Sequence, residues 1–149
     1  MNKFSPRDPN FSERVRGSFQ RQRVMAWIGA ELTRLDPGHC EIRLPHKPEL
    51  TQQHGYIHGG IIGTIGDTAA GYAAYTLMPP ASSVLTIEYK MNLLVPGDGE
   101  LLITRGEVVR AGRTLVVARA DVFAVKDGKE TLCAALLQTL MTMHGKADQ

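Results

Sequence analysis

From Leu50 to Ile87 the chain runs 38 residues with one formal charge, Asp67. The middle of that stretch has the length and small-residue content of a helix. Pro79-Pro80 stops it, which predicts a helix over 58–78. A surface helix ordinarily carries a charged face. This one carries none, so it is expected to be covered nearly all round, by its own sheet and by another subunit. Six glycines fall between positions 55 and 71: Gly55, Gly59, Gly60, Gly63, Gly66 and Gly71. An interior glycine costs about 0.5–1 kcal/mol relative to alanine. Gly63, Gly66 and Gly71, with Ala69, Ala70, Ala73 and Ala74, therefore imply close approach of sheet or partner backbone. Gly55 is expected to shape the approach loop.

In that setting Asp67 is expected to be buried. Burying a lone carboxylate costs several kcal/mol unless it is paired or neutralised. The bland alternative is a carboxylate on a narrow solvated strip, bonded to Thr64 or Thr68. A carboxylate in a cleft is a candidate base or nucleophile. His58-Gly59-Gly60 opens the helix, where unpaired N–H groups carry partial positive charge. Glycine lets a carbonyl reach them. Asp67 lies eight residues past Gly59, roughly 12 Å of helix rise. That is too far to serve a carbonyl held at its own helix start. A two-fold dimer with antiparallel central helices would bring Asp67 of one chain to Gly59 of the other.

The rest of the chain bounds the reading. Its 149 residues suit one compact domain, and 17 Lys plus Arg against 15 Asp plus Glu are too balanced for a nucleic-acid partner. No apolar run approaches the roughly 20 residues of a membrane span, so no membrane partner is expected. Residues 1–23 are basic but lack the apolar stretch and cleavage site of a secretory signal. They read as an extension: a frayed start, Met1 to Asn10, then a short helix opened by Ser12 with Phe11, Val15 and Phe19 on one face. Cys40 and Cys133 have no CxxC spacing, which suits reduced thiols in a cytoplasmic protein. His39, His46, His54 and His58 lack the spacing of a metal site. His58 reads as a cap or orienting group and His54 as a hydrogen-bonding loop residue.

Strands are expected over 24–35, broken at Gly29, and over 39–44, 84–95, 101–110 and 114–126. Residues 130–143 are rich in Ala, Leu and Met, which favour helix. The Asp127-Gly128 hairpin signal before them favours a last strand, and strand is the reading taken. Strict alternation in 84–95 puts Leu85, Ile87, Tyr89, Met91 and Leu93 on one face, and Thr86, Glu88, Lys90 and Asn92 on the other. The order is helix, two strands, a long helix, then a four-stranded meander. This is an α+β domain over 24–149, with one helix to cover an antiparallel sheet.

The segment LTQQHGYIHGG (50–60), with Asp67 nine residues after His58, resembles the PaaI-like hotdog-fold acyl-CoA thioesterases. Pro96 and the Gly112-Arg113-Thr114 turn also fit, and the resemblance spans residues 24–143. It implies a single hotdog domain, an antiparallel sheet wrapped round the central helix, paired into homodimers and commonly dimer-of-dimers tetramers. It implies hydrolysis of an acyl-CoA thioester without a cofactor, CoA being part of the substrate. The Gly59 N–H would polarise the carbonyl, beside Gly60, and His58 would shape that site. Asp67 from the partner chain would activate water or attack directly. Gln52 stands where many relatives carry Asn, and Thr86 where some carry a hydroxyl near the carboxylate. His54 and Ile61 would flank the substrate, and Ile61, Ile62, Ile65, Tyr72 and Tyr75 would wall the acyl pocket. Lys90, Arg110 and Arg113 would meet the CoA phosphates, which arginine suits by bidentate contact. The alternative is an acyl-CoA-binding hotdog protein that does not hydrolyse. Asp67 and the intact His58-Gly59-Gly60 argue for the hydrolase.

Overall fold

Alternating burial along the four middle strands anchors an antiparallel sheet of six that curls round a single long helix. The computed structural model describes residues 4–148. In chain order the elements are α1 (Phe11–Arg21), α2 (Arg23–Ile28), β1 (Glu31–Asp36), β2 (His39–Pro45), a 3-10 turn (Pro48–Leu50), α3 (Gly59–Tyr75), β3 (Ser82–Leu93), β4 (Leu101–Ala111), β5 (Leu115–Lys126) and β6 (Lys129–His144). This is the hotdog architecture that the resemblance implies. Residues 129–144 are strand, as the hairpin context predicts. Asp127 (φ 51°) and Gly128 (φ 75°) both sit in the left-handed region that a tight type I′ turn requires. Among the described residues no helix is long and apolar enough to cross a membrane.

Across the sheet the order is β1-β2-β4-β5-β6-β3. The expected four-strand meander is therefore wrong: β4, β5 and β6 form one, but β3 lies at the far edge against β6. The segment after β3 makes the crossing. It runs past the start of α3, where the Ile57 N–H donates to Gly97 O at 3.0 Å. The 16-residue β6 is long enough to pair β5 on one side and β3 on the other.

The inward face of β6 reads Ala134, Leu136, Gln138, Leu140, Thr142, all buried. Val116, Ala118, Ala120, Val122 and Ala124 do the same in β5. The small residues let α3 settle deep. At Gly106 of β4 a Cβ would fall 2.3 Å from Ala69 O, so helix backbone and sheet touch directly. At Gly66 a Cβ would lie 2.7 Å from the Leu136 side chain. Gly71 differs from expectation. A Cβ there meets only Leu140 at 3.6 Å, an ordinary contact, so packing does not demand glycine. Most of α3 is covered, but Gly60, Ile61, Thr64 and Asp67 lie along an open strip.

Three local expectations change. Residues 24–28, expected as strand, lie in the helix α2. Met25 and Ile28 are buried three apart while Val24 and Trp27 face out, a helical period. Gly29 (φ 81°) ends α2 with its N–H on Ala26 O and Met25 O. The chain start is not frayed through Asn10: Asp8 is buried and lies 3.0 Å from the Arg14 guanidinium. Met1 to Lys3 lie outside the described residues. Arg14 also donates to Pro79 O (2.6 Å) and Met78 O (2.8 Å) and stacks 4.5 Å over the Tyr75 ring. It clamps α1 to the end of α3. Finally, a bulge between Thr86 and Glu88 breaks the alternation of β3. Before it Thr86 pairs with Leu140, and after it Tyr89 pairs with Gln138 and Met91 with Leu136. Cross-strand partners share a face, so Thr86, Tyr89 and Met91 all face the helix, while Leu85 faces out.

Candidate active site

Asp67 projects from the open strip of α3 toward β3 and β6. It is half-buried in the single chain rather than buried as expected. It does not bond to Thr64 or Thr68, whose hydroxyls donate to Gly60 O and Thr64 O along the helix. Instead Thr86 Oγ1 donates to Asp67 Oδ1 at 2.6 Å. Gln138 Nε2 donates to the same oxygen at 3.1 Å and to the Asp67 main-chain carbonyl at 3.2 Å. One carboxylate oxygen is thus held by two donors from two strands. No protein donor among the described residues reaches Oδ2. The β3 bulge is what makes this arrangement, because unbroken alternation would put Thr86 on the face opposite Tyr89.

Sequence reasoning missed Gln138. It sits in a buried apolar row, 1% exposed, and its Oε1 has no partner among the described residues. An unsatisfied buried acceptor costs about 1–3 kcal/mol. A polar residue amid the apolar alternation of 134–142 was the available signal.

The helix start is arranged as expected in part. His58 caps α3, its Nδ1 accepting the Gly60 N–H at 2.9 Å. A neutral ring accepting at Nδ1 carries its proton on Nε2. The Gly60 N–H is therefore taken, and Ile61 and Ile62 donate to His58 O. Among the described residues no acceptor faces the Gly59 N–H. It opens on a cleft of about 330 Å³ lined by Gln52, Tyr56, Ile57, Ile62, Leu93 and Val95 among others. Gln52 Oε1 accepts the His54 main-chain N–H, leaving its NH2 as the unbound end. The His54 residue itself is exposed on its loop.

Asp67 lies on a different cleft of about 280 Å³, with Gln22, Gly71, Tyr72, Val84 and Thr86 in its walls. A single chain does not bring Gly59 and Asp67 to one cavity. Of the expected pocket walls, Ile62 lines the first cleft and Tyr72 the second. Ile65 and Tyr75 are fully buried core residues instead, and the Tyr75 hydroxyl donates to Ser82 O. Ile61 is half-buried on the open strip. Arg110 and Arg113 flank the β4–β5 turn, exposed and outside the ion pairs of the described residues. That turn lies at the Asp67 end of the sheet, since Thr142 bonds to Thr114 O and pairs with Val84. Lys90 is exposed and pairs with Leu137 on the outer face. Among the described residues no three His, Cys, Asp or Glu side chains gather as metal ligands would.

The sequence profile of the thioesterase superfamily matches residues 54–131. A thioesterase family protein from Silicibacter pomeroyi superposes with a TM-score of 0.90 at 47% identity, over 91% of this chain and 99% of that one. The Escherichia coli PaaI protein of the phenylacetic acid degradation operon shares the fold, with a TM-score of 0.82 at 16% identity over 92% and 96% of the two chains. A Halobacterium salinarum protein, whose name assigns it provisionally to the esterases, is 33% identical over 109 residues, 70% of this chain and 72% of that protein. The medium/long-chain acyl-CoA thioesterase of Escherichia coli K12 is 26% identical over 109 residues, 63% and 70% of the two.

Proposed function

The chain belongs to the thioesterase superfamily, and from that premise we propose that it hydrolyses an acyl-CoA thioester in a site shared by two protomers. The observation that carries this reading is the carboxylate of Asp67, held at Oδ1 by Thr86 and Gln138 with Oδ2 left for chemistry. The unbound N–H of Gly59 supplies the electrophilic half.

The two halves lie about 12 Å apart along one helix. The edge of β3 away from β6 is unpaired in the sheet, and its helix-side residues Tyr89 and Leu93 remain exposed. A second copy placed two-fold against the open strip of α3 would cover them. It would also set Asp67 of one protomer opposite Gly59 of the other. The thioester carbonyl would lie on the Gly59 N–H, with His58 fixing that turn. Oδ2 then takes a proton from water, whose oxygen attacks the carbonyl carbon. The tetrahedral oxyanion rests on Gly59, the C–S bond breaks, and the CoA thiolate leaves with the proton that Oδ2 took. Direct attack by Oδ2 would instead form an anhydride that water opens. Label found in Asp67 after single-turnover hydrolysis in H2(18)O would establish direct attack, because water activated by a general base delivers its oxygen to the free acid alone. The free NH2 of Gln52 faces the same cleft and would orient water or carbonyl. Arg110 and Arg113 would hold CoA phosphates.

The test is thiol release from a panel of acyl-CoAs, wild type against Asp67→Asn. Loss of a general base removes about 10²–10⁴-fold in rate. A fall of that size, with the dimer intact by sedimentation, supports the reading; equal rates refute it. Charge reversal at Arg110 and Arg113 should raise KM for CoA esters, and an unchanged KM would remove them from the phosphate site.

A further inference from the structure

We infer that Gln22, at the break between α1 and α2, is the end wall of the acyl pocket and restricts this chain to short or compact aromatic acyl groups. The inference rests on the hydrolase reading above and adds its substrate class.

Gln22 has extended backbone (φ −74°, ψ 101°) between two helices. The break turns its side chain across the C-terminal half of α3, where Nε2 donates to the Tyr72 hydroxyl at 2.9 Å. Ser18 of α1 shares a second hydrogen bond with that hydroxyl at 3.0 Å. Phe19 stacks edge-on against the Tyr72 ring, centroids 6.0 Å apart. The phenol is therefore fixed from three sides, and burial raises its pKa above the ordinary tyrosine value.

Gln22, Tyr72 and Val84 wall two clefts at once. On one side lies the cleft holding Asp67 and Thr86. On the other lies a second cleft of about 240 Å³, reaching Ser18, Arg21, Ser83 and Asp148. The near cleft offers apolar contact from Val84 and Gly71, beginning beside the carboxylate. An acyl chain growing away from Asp67 meets the Gln22–Tyr72 hydrogen bond. Passing it means breaking that bond, and no methylene can replace the donor that the buried Tyr72 hydroxyl loses. Beyond it stands the Arg21–Asp148 ion pair at 3.2 Å, a poor setting for an alkyl terminus. A short chain or a flat ring stops before the wall at no such cost. The Escherichia coli relative is named for medium and long chains; the wall sets a shorter limit here.

The experiment is kcat/KM for saturated acyl-CoAs from two to sixteen carbons, with benzoyl- and phenylacetyl-CoA, on the wild type and on Gln22→Ala. The readout is the ratio of long-chain to short-chain kcat/KM within each protein, so general losses cancel. The wild type should drop sharply beyond a cut-off length. Gln22→Ala should move that cut-off outward by two or more carbons, raising the ratio for the first rejected chain at least about tenfold, the scale of one methylene in a shaped pocket. Tyr72→Phe, which frees the amide but keeps the ring, is the second variant and should shift the ratio the same way. An unmoved cut-off in Gln22→Ala, with hydrolysis retained, overturns the inference and leaves the hydrolase reading standing. A wild type without turnover on any of these esters overturns both.

Discussion

Replacing Gln138 by methionine isolates what the buried amide does. The perturbation keeps the length of the side chain and removes its polarity from an apolar row. Two stabilising bonds are lost. A hydrogen bond to a charged group contributes about 1.5–3 kcal/mol and a neutral one about 0.5–1.5 kcal/mol. The first is discounted because Asp67 is half-exposed and water takes up the vacant lone pair. Against these stands the unpartnered Oε1, whose removal returns about 1–3 kcal/mol. The terms nearly cancel, so stability should change by about 1 kcal/mol or less. For a chain of this size that is a Tm shift of about 2–4 °C. Activity should behave otherwise. Thr86 alone would hold Oδ1, and the carboxylate would be free to turn about that single bond. A misplacement of about 1 Å can cost about 10²-fold, so kcat should fall roughly 10–100-fold with KM little changed. Calorimetry beside thiol-release kinetics measures both. A Tm loss well beyond about 4 °C would mean that the amide holds the fold, and an unchanged kcat would refute the idea that pinning Oδ1 matters.

Arg14→Ala should destabilise far more. It strands buried Asp8 and uncaps Met78 O and Pro79 O; breaking a buried pair costs about 3–5 kcal/mol, and scanning calorimetry should show the loss, whereas a change below about 1 kcal/mol would make the clamp ornamental. The cysteines should be silent in the native protein. Burial pushes the Cys40 thiol up to about 12 and Cys133 up to about 11, so thiolate is scarce at pH 8. Mass spectrometry after iodoacetamide should find neither modified until denaturant is added, and rapid native labelling would contradict the packing.

Local signals carried a good part of this molecule. The missing charge around Asp67 located the central helix, and Asp127-Gly128 turned an ambiguous Ala/Leu/Met segment into a strand. His58-Gly59-Gly60 read as a helix start, and the cap is there. What escaped depends on neighbours distant in sequence. VMAWI is apolar at every position, so only the core beneath Met25 and Ile28 decides for helix. The place of β3 depends on which edge of the finished sheet is free. The bulge at Ile87 leaves no mark in the letters, yet it decides whether Thr86 faces Asp67. Gln138 interrupts an apolar alternation but does not name its partner, and Gln22 is an ordinary polar residue until the fold brings it to a hydroxyl.

Gly106 gives the site a mechanical tolerance. The hydrogen it carries in place of a side chain lies against the backbone of Ala69, two residues beyond Asp67. A Cβ there would sit 2.3 Å from Ala69 O, where ordinary contact begins at 3.4 Å, so a methyl group would lift the helix by about 1 Å. The 3.1 Å span from Gln138 to the carboxylate would open with it. The aim of the reacting group is thus calibrated from β4, two strands away from β6, by a residue with no reach to substrate. Variation at that position would act as a spacer, detuning the chemistry while every residue of the site kept its identity.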